Sequence, residues 1–177
     1  NQVPMLEIDA ISIVQCDAIL RYLARKHNML GADARESAKV DMIHAATIDI
    51  RASVLGIPFN PPQNRTGMVQ GCFDSVLPKY LKPIEALLQQ SNTGFVAGGE
   101  GATMADVTLC EALCMVTEAP NVPENSLQQL YPAAHAHMQM MMARPGLAAY
   151  SSSGRRRVFA GDDVLQKYAA EVRASLS

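Results

Sequence analysis

A chain of 177 residues, 49% hydrophobic and 18% charged, has enough apolar sequence to bury a substantial core, which excludes a disordered polymer. Fifteen Lys and Arg against 17 Asp and Glu leave a net charge of −2, so nothing general draws it to nucleic acid or an anionic membrane. No uninterrupted apolar run approaches the roughly 20 residues of a membrane span. Asn1-Gln2-Val3-Pro4 is neither a basic signal-peptide start nor an initiator methionine, so the sequence reads as beginning within a longer protein. Cys16, Cys72, Cys110 and Cys114 form no CxxC pair and no zinc-type spacing, which points to free thiols in a reducing compartment, the cytoplasm by default.

From Val3 to Val14 the pattern is short, β-branched and partly alternating, which predicts a hairpin turning at Asp9-Ala10. Asp-Gly would be the stronger turn. From Gln15 to His27, Ala18, Ile19, Tyr22 and Leu23 recur at helical spacing and Gly31 closes the segment, so Tyr22 is assigned to the helix core. Asp33 with Glu36 is a capping-box start for a helix through Met42, Ile43, Ala46, Ile50 and Val54 to Leu55. Gly56 to Pro62 reads as a loop, and a helix from about Gly67 to Gln90 should be bent or interrupted by Pro78 and Pro83. After a Gly-rich turn from Asn92 to Gly101, Thr103 opens an apolar helix to Glu118, with Asp106 completing its capping box. Leu127 to Ala143 predicts one further helix, ended by Pro145-Gly146. Ser151 to Arg157 is a polar, basic loop of solvated character, and Asp162 starts a last amphipathic helix through Leu165, Tyr168, Ala169 and Val172. The fold class is therefore α+β, mostly α. A hairpin with one helix cannot bury its faces alone, so the first thirty residues must lean on other sequence.

The string Gln2-Val3-Pro4-Met5-Leu6-Glu7-Ile8-Asp9, followed by Val14-Gln15-Cys16-Asp17-Ala18-Ile19, resembles the second half of the thioredoxin-like domain of the cytosolic glutathione S-transferases, nearest to their alpha, mu, pi and sigma group. Thr103-Met104-Ala105-Asp106 looks like that family's Ser/Thr-x-x-Asp capping box, and Tyr131-Pro132 and Ala143-Arg144-Pro145 also sit at family-like positions. The resemblance implies a partial thioredoxin-like domain over residues 1–30 and an all-helical domain over 31–177. It also implies that the family's first strand, first helix and second strand precede this sequence, together with the hydroxyl or thiol that activates the glutathione sulfur. No catalytic residue is assigned within the chain.

By the same resemblance, the residue before the proline offers its backbone to the cysteinyl part of glutathione across a cis bond, a role for Val3-Pro4. The plain alternative is an ordinary trans proline at a strand start. Gln15 and Cys16 lie where strand gives way to helix, and a helix N-terminus presents unpaired N–H groups to an anion, here the γ-glutamyl carboxylate. Otherwise Gln15 is a cap neighbour and Cys16 a small filler. Cys16 departs from the family's usual Ser or Thr, and a thiol is a weaker donor. Asp49 corresponds to an aspartate that reaches across a dimer interface toward the partner's glutathione amino group, the alternative being a surface pair with Arg51 or Arg35. Gln2 lines the glycyl end of the peptide. Asp17 stands where some alpha-class members have Arg near the dimer contact, and two facing carboxylates there would repel.

The residues that remain read as structural. Thr103 and Asp106 form a cap, Cys110 and Cys114 are buried thiols on one helical face, and Met138, Met140, Met141 and Met142 are gap fillers. His135 and His137, two apart on a helix, do not share a face as a metal pair would. The resemblance thus implies a glutathione-dependent transferase with glutathione as co-substrate, no other cofactor and no metal, acting on hydrophobic electrophiles. It implies a homodimer or a subunit of a larger assembly, with no nucleic-acid partner and no membrane span. The apolar substrate would lie between the glutathione site and the helical domain, walled by the long helix and the segment after Arg157. The alternatives are a non-catalytic assembly or docking subunit and, third, a sigma-type isomerase.

Overall fold

Strands β1 (Met5–Ile8) and β2 (Ile11–Val14) pair antiparallel in the computed structural model, which describes residues 3–159 and 163–175. Asp9 and Ala10 make the turn with φ of 50° and 60°, the two left-handed residues that a tight hairpin of this twist needs. Alanine is a poor residue for that conformation, and side chains from the next helix hold the turn. The Asp9 carboxylate accepts from Lys26 Nζ at 2.6 and 2.9 Å and from the Tyr22 hydroxyl. Tyr22 is therefore not a core residue; it is half-buried, with its polar end on the hairpin. The Lys26 and Tyr22 bonds hold the Asp9 carboxyl below its ordinary value.

Helix α1 (Cys16–Lys26) follows directly, and Gly31 turns the chain toward α2 (Ala34–Leu55). Gly31 has φ of 93°, and a Cβ there would lie 2.8 Å from Glu36 Cγ and 3.0 Å from the Ser37 nitrogen, so only glycine fits. The Asp33 carboxylate accepts the Glu36 N–H at 2.8 Å, while Glu36 reaches one residue past the cap to the Ala32 N–H, also at 2.8 Å. Two orphan donors are satisfied.

The expected loop from Gly56 to Pro62 contains a 3₁₀ turn, Ile57–Phe59, with Ile57 and Pro58 buried. The next helix begins earlier than Gly67: α3 (Pro62–Gly71) starts on a proline at its first position, where the missing N–H is harmless. A π-helical segment, Cys72–Val76, leads without a break into α4 (Leu77–Gln90). The Leu77 N–H bonds the Cys72 carbonyl five residues back, so the widened turn lies immediately before Pro78, which cannot donate. Pro83 sits inside α4 and does not end it. The buried Leu81 and Ile84 flank it, and burial outweighs one lost backbone bond.

Helix α5 (Met104–Glu118) is the axis of the helical part and packs mainly on α2 and α7. Leu109, Leu113, Ala112 and Val116 are fully buried, as are Val40 and Ile50 of α2 and Leu77 and Leu81 of α4. The Thr103–Asp106 capping box forms, and the buried Asp106 does more than cap. One oxygen accepts the Thr103 N–H and hydroxyl, and the other accepts the Val96 N–H, each at 2.8 Å, which ties the Gly-rich turn to the helix.

The single helix expected over Leu127–Ala143 is two, α6 (Ser126–Leu130) and α7 (Pro132–Met142). Pro132 expels Tyr131 from the helical region, to φ of −139°. The first amides of α7 are then capped from another helix: buried Glu85 of α4 accepts the Ala133 and Ala134 N–H groups at 2.8 Å each. Helix α7 ends before Pro145 as expected, but Pro145 also starts a further helix, α8 (Pro145–Ser152), so the polar loop begins later than Ser151. Helix α9 (Asp163–Ser175) closes the chain; its expected start at Asp162 lies outside the described residues. Among the described residues no helix is long and apolar enough to cross a membrane.

Candidate functional site

The hairpin register brings two expected site segments together. Met5 pairs with Val14, so Val3-Pro4 on one strand and Gln15-Cys16 after the other leave the same end of the sheet. The Val3-Pro4 bond is cis, as the resemblance implied, and Val3 is 91% exposed. Gln15 adopts φ of 73° and ψ of 118°, a conformation that side chains rarely tolerate, and it delivers the chain into α1 without its own side chain capping the helix. Ile19 is bonded to the Gln15 carbonyl, so the helix starts here in full, and exposed Cys16 is its first residue. An uncapped helix start beside an exposed backbone bend can receive an anion. Gln2 lies outside the described residues.

Asp17, in the first turn of α1, leans on α2, where its Oδ1 lies 3.4 Å from Nε2 of the fully buried His44. Burial pushes the His44 imidazole down, against the pull of Asp17, and Arg21 and Arg51 push the same way as burial. Sequence reasoning missed His44, since a histidine on an apolar helix face gives no signal of its partner. Asp49 is exposed on α2, and Lys79 of α4 feels its charge. The expected alternative partner Arg51 instead faces Glu111, at 3.5 Å.

A second concavity, of about 900 Å³, opens between α2, α5 and the segment that follows α8. Ile48, Ala52 and Leu55 of α2 and Met115 of α5 give it an apolar floor, while Tyr150, Val158, Phe159 and Tyr168 form its other side. Phe59 packs edge-on against Tyr168 at 6.2 Å between ring centroids, which fixes α9 at the mouth. The long helix and the segment after Arg157 thus both line the cavity. Arg156 is not solvated as its loop suggested: it pairs with Glu118 of α5, whose other oxygen accepts the Phe159 N–H at 2.7 Å. That carboxylate pins the strap over the cavity. Behind it Cys110 and Cys114 are buried, the Cys110 thiol pushed up by its bond to Cys114 and by burial. His137 is a core residue bonded to the Gly94 carbonyl at 3.1 Å.

Comparison with known proteins agrees with this geometry. The profile of the family described as "Glutathione S-transferase, C-terminal domain" matches residues 48–154. Glutathione S-transferase 3 of Gallus gallus is 30% identical over 176 residues, covering 99% of this chain and 73% of the relative. Glutathione S-transferase alpha-4 of Rattus norvegicus is 33% identical over 133 residues, covering 74% of this chain but only 60% of the rat protein. The structure of the pi-class glutathione S-transferase of Onchocerca volvulus superposes with a TM-score of 0.72 at 27% identity, over 85% of this chain and 70% of that one. With an uncapped helix start beside a cis-proline bend, and a helical domain matched over most of its length, this chain belongs to the glutathione S-transferase family.

Proposed function

We propose that this chain binds glutathione at the open end of the hairpin and, in the complete protein, presents its thiolate to apolar electrophiles held in the neighbouring cavity. The observation that carries the reading is Gln15: a residue held at positive φ immediately before an uncapped helix is a locally costly arrangement of a kind that gathers at binding sites. In this reading the Val3 backbone pairs with the tripeptide and the α1 amides at Cys16 take its γ-glutamyl carboxylate. The Gln15 side chain and Gln2 flank the peptide. Asp49 serves the second glutathione of a homodimer through a charge-assisted contact. Residues 1–30 are the glutathione-binding part and 31–177 the helical part. The sulfur-activating group is supplied by the family's first strand, and the protein works in the cytoplasm. Glutathione is a co-substrate, not a resident cofactor.

Retention of the full-length protein on immobilised glutathione, followed by conjugation of an aryl halide, tests binding and chemistry separately. Retention with turnover is the expected outcome. Retention without turnover removes the transferase step, and absence of retention removes the site.

A further inference from the structure

The cavity between α2, α5 and the strap is not apolar throughout. Ile48, Arg51, Ala52 and Leu55 recur at helical spacing on the face of α2 that lines it, so one arginine stands in the middle of an otherwise apolar floor. The charge around it is one-sided. Among the described residues four arginines and two glutamates line the cavity, in a chain whose net charge is −2.

The two carboxylates are unequally committed. Glu118 gives one oxygen to Arg156 and the other to the Phe159 N–H, so the strap closes that pair. Arg51 meets its carboxylate only loosely: Nη1 lies 3.5 Å from Glu111 Oε2, at the far end of hydrogen-bond range, and Nε is buried with no hydrogen-bond partner. Desolvation pushes the Glu111 carboxyl up, against the pull of Arg51. A buried cationic donor left idle is costly, and a planar anion that accepts two parallel bonds from the guanidinium removes that cost.

We propose that Arg51 selects acceptor molecules that carry a carboxylate: the apolar floor of α2 takes the body of the electrophile and the Arg51 guanidinium takes its anionic end. This rests on the reading of the cavity as the acceptor site. A neutral molecule of the same shape leaves the Arg51 donor buried and unused, so an acid is preferred over its ester. The positive excess of the lining adds a field that favours the same choice.

The test uses the full-length protein with glutathione and two matched acceptors, a chloronitrobenzoate and its methyl ester. In both, the glutathione sulfur bonds to the ring carbon and chloride leaves; dividing each rate by the uncatalysed rate removes their difference in reactivity. The parent should favour the acid. Arg51→Met should lower kcat/KM for the acid by about tenfold to a hundredfold, the range of a hydrogen bond to a charged group, and leave the ester nearly unchanged, which also shows that the variant folds. Arg51→Lys, which keeps the charge without the planar fork, should fall between. Equal losses for acid and ester, or a parent that favours the ester, overturn the proposal. If the parent binds glutathione but conjugates neither acceptor, the transferase reading falls, and calorimetric titration with the chloronitrobenzoate alone decides the site. Binding that is lost in Arg51→Met keeps Arg51 as the anion receptor of the cavity, whereas no binding, or binding unchanged in that variant, overturns it.

Discussion

The hairpin with α1 and the helical part around α5 are held together by different physics. In the helical part Val40, Ile50, Leu77, Leu81, Leu109 and Leu113 are sealed from solvent, and two buried carboxylates, Asp106 and Glu85, saturate backbone donors of neighbouring elements. In the hairpin Met5 and Ile11 remain 53% and 46% exposed, and the bonds that hold it to α1 are surface ones from Asp9 to Tyr22 and Lys26. One region is organised to be stable. The other keeps strained and uncapped backbone at its surface, where a ligand can reach it, and borrows its position from the helices behind it.

That contrast is tested most severely by Asp106→Ala, which strands the Val96 and Thr103 donors in a buried setting. Urea denaturation should show a loss of at least about 3 kcal/mol, and a loss under about 1 kcal/mol would falsify the view of Asp106 as the hub of the helical part. Leu109→Ala should cost about 3 kcal/mol by leaving a cavity on α5. Glu85→Ala should cost about 2 kcal/mol through the orphaned amides of α7, and hydrogen exchange should localise the damage at Ala133 and Ala134. A pH series probes the seam between the regions. The His44 imidazole is pushed down in the folded chain, mainly by burial, so the unfolded chain binds the proton more readily. Stability should therefore fall as pH drops below about 6.5 and level off once the folded imidazole is also protonated. His44→Gln should lose that slope, and a slope that survives in this variant assigns it to another group. At the weak end, Ile11→Ala on the hairpin should cost under about 0.5 kcal/mol. A larger loss would show that something covers that face in solution.

Much of this was legible along the chain. The change from period two to period three and a half near Gln15 located the hairpin and α1, and the Asp33–Glu36 and Thr103–Asp106 spacings located two helix starts. These signals are local. The prolines were harder to read, because the same residue starts α3, α7 and α8, sits inside α4 and follows a π segment at Pro78. Whether a missing N–H breaks a helix depends on which carbonyl would have received it and on what the neighbouring side chains bury. Of the site, Val3, Pro4, Gln15 and Cys16 were visible as a motif, whereas the cavity between α2 and the strap was visible only as two candidate walls.

What the sequence determined by itself, then, was element type wherever hydrophobic period and cap chemistry agree, because both act within a few residues. Only the tertiary structure decided that Glu85 caps a helix 48 residues away, that Glu118 holds the strap through Arg156 and Phe159, and that His44 faces Asp17. Each of these is a buried or half-buried polar group seeking a partner. Desolvation makes such pairing obligatory, while the identity of the partner is set by where packing brings distant segments together.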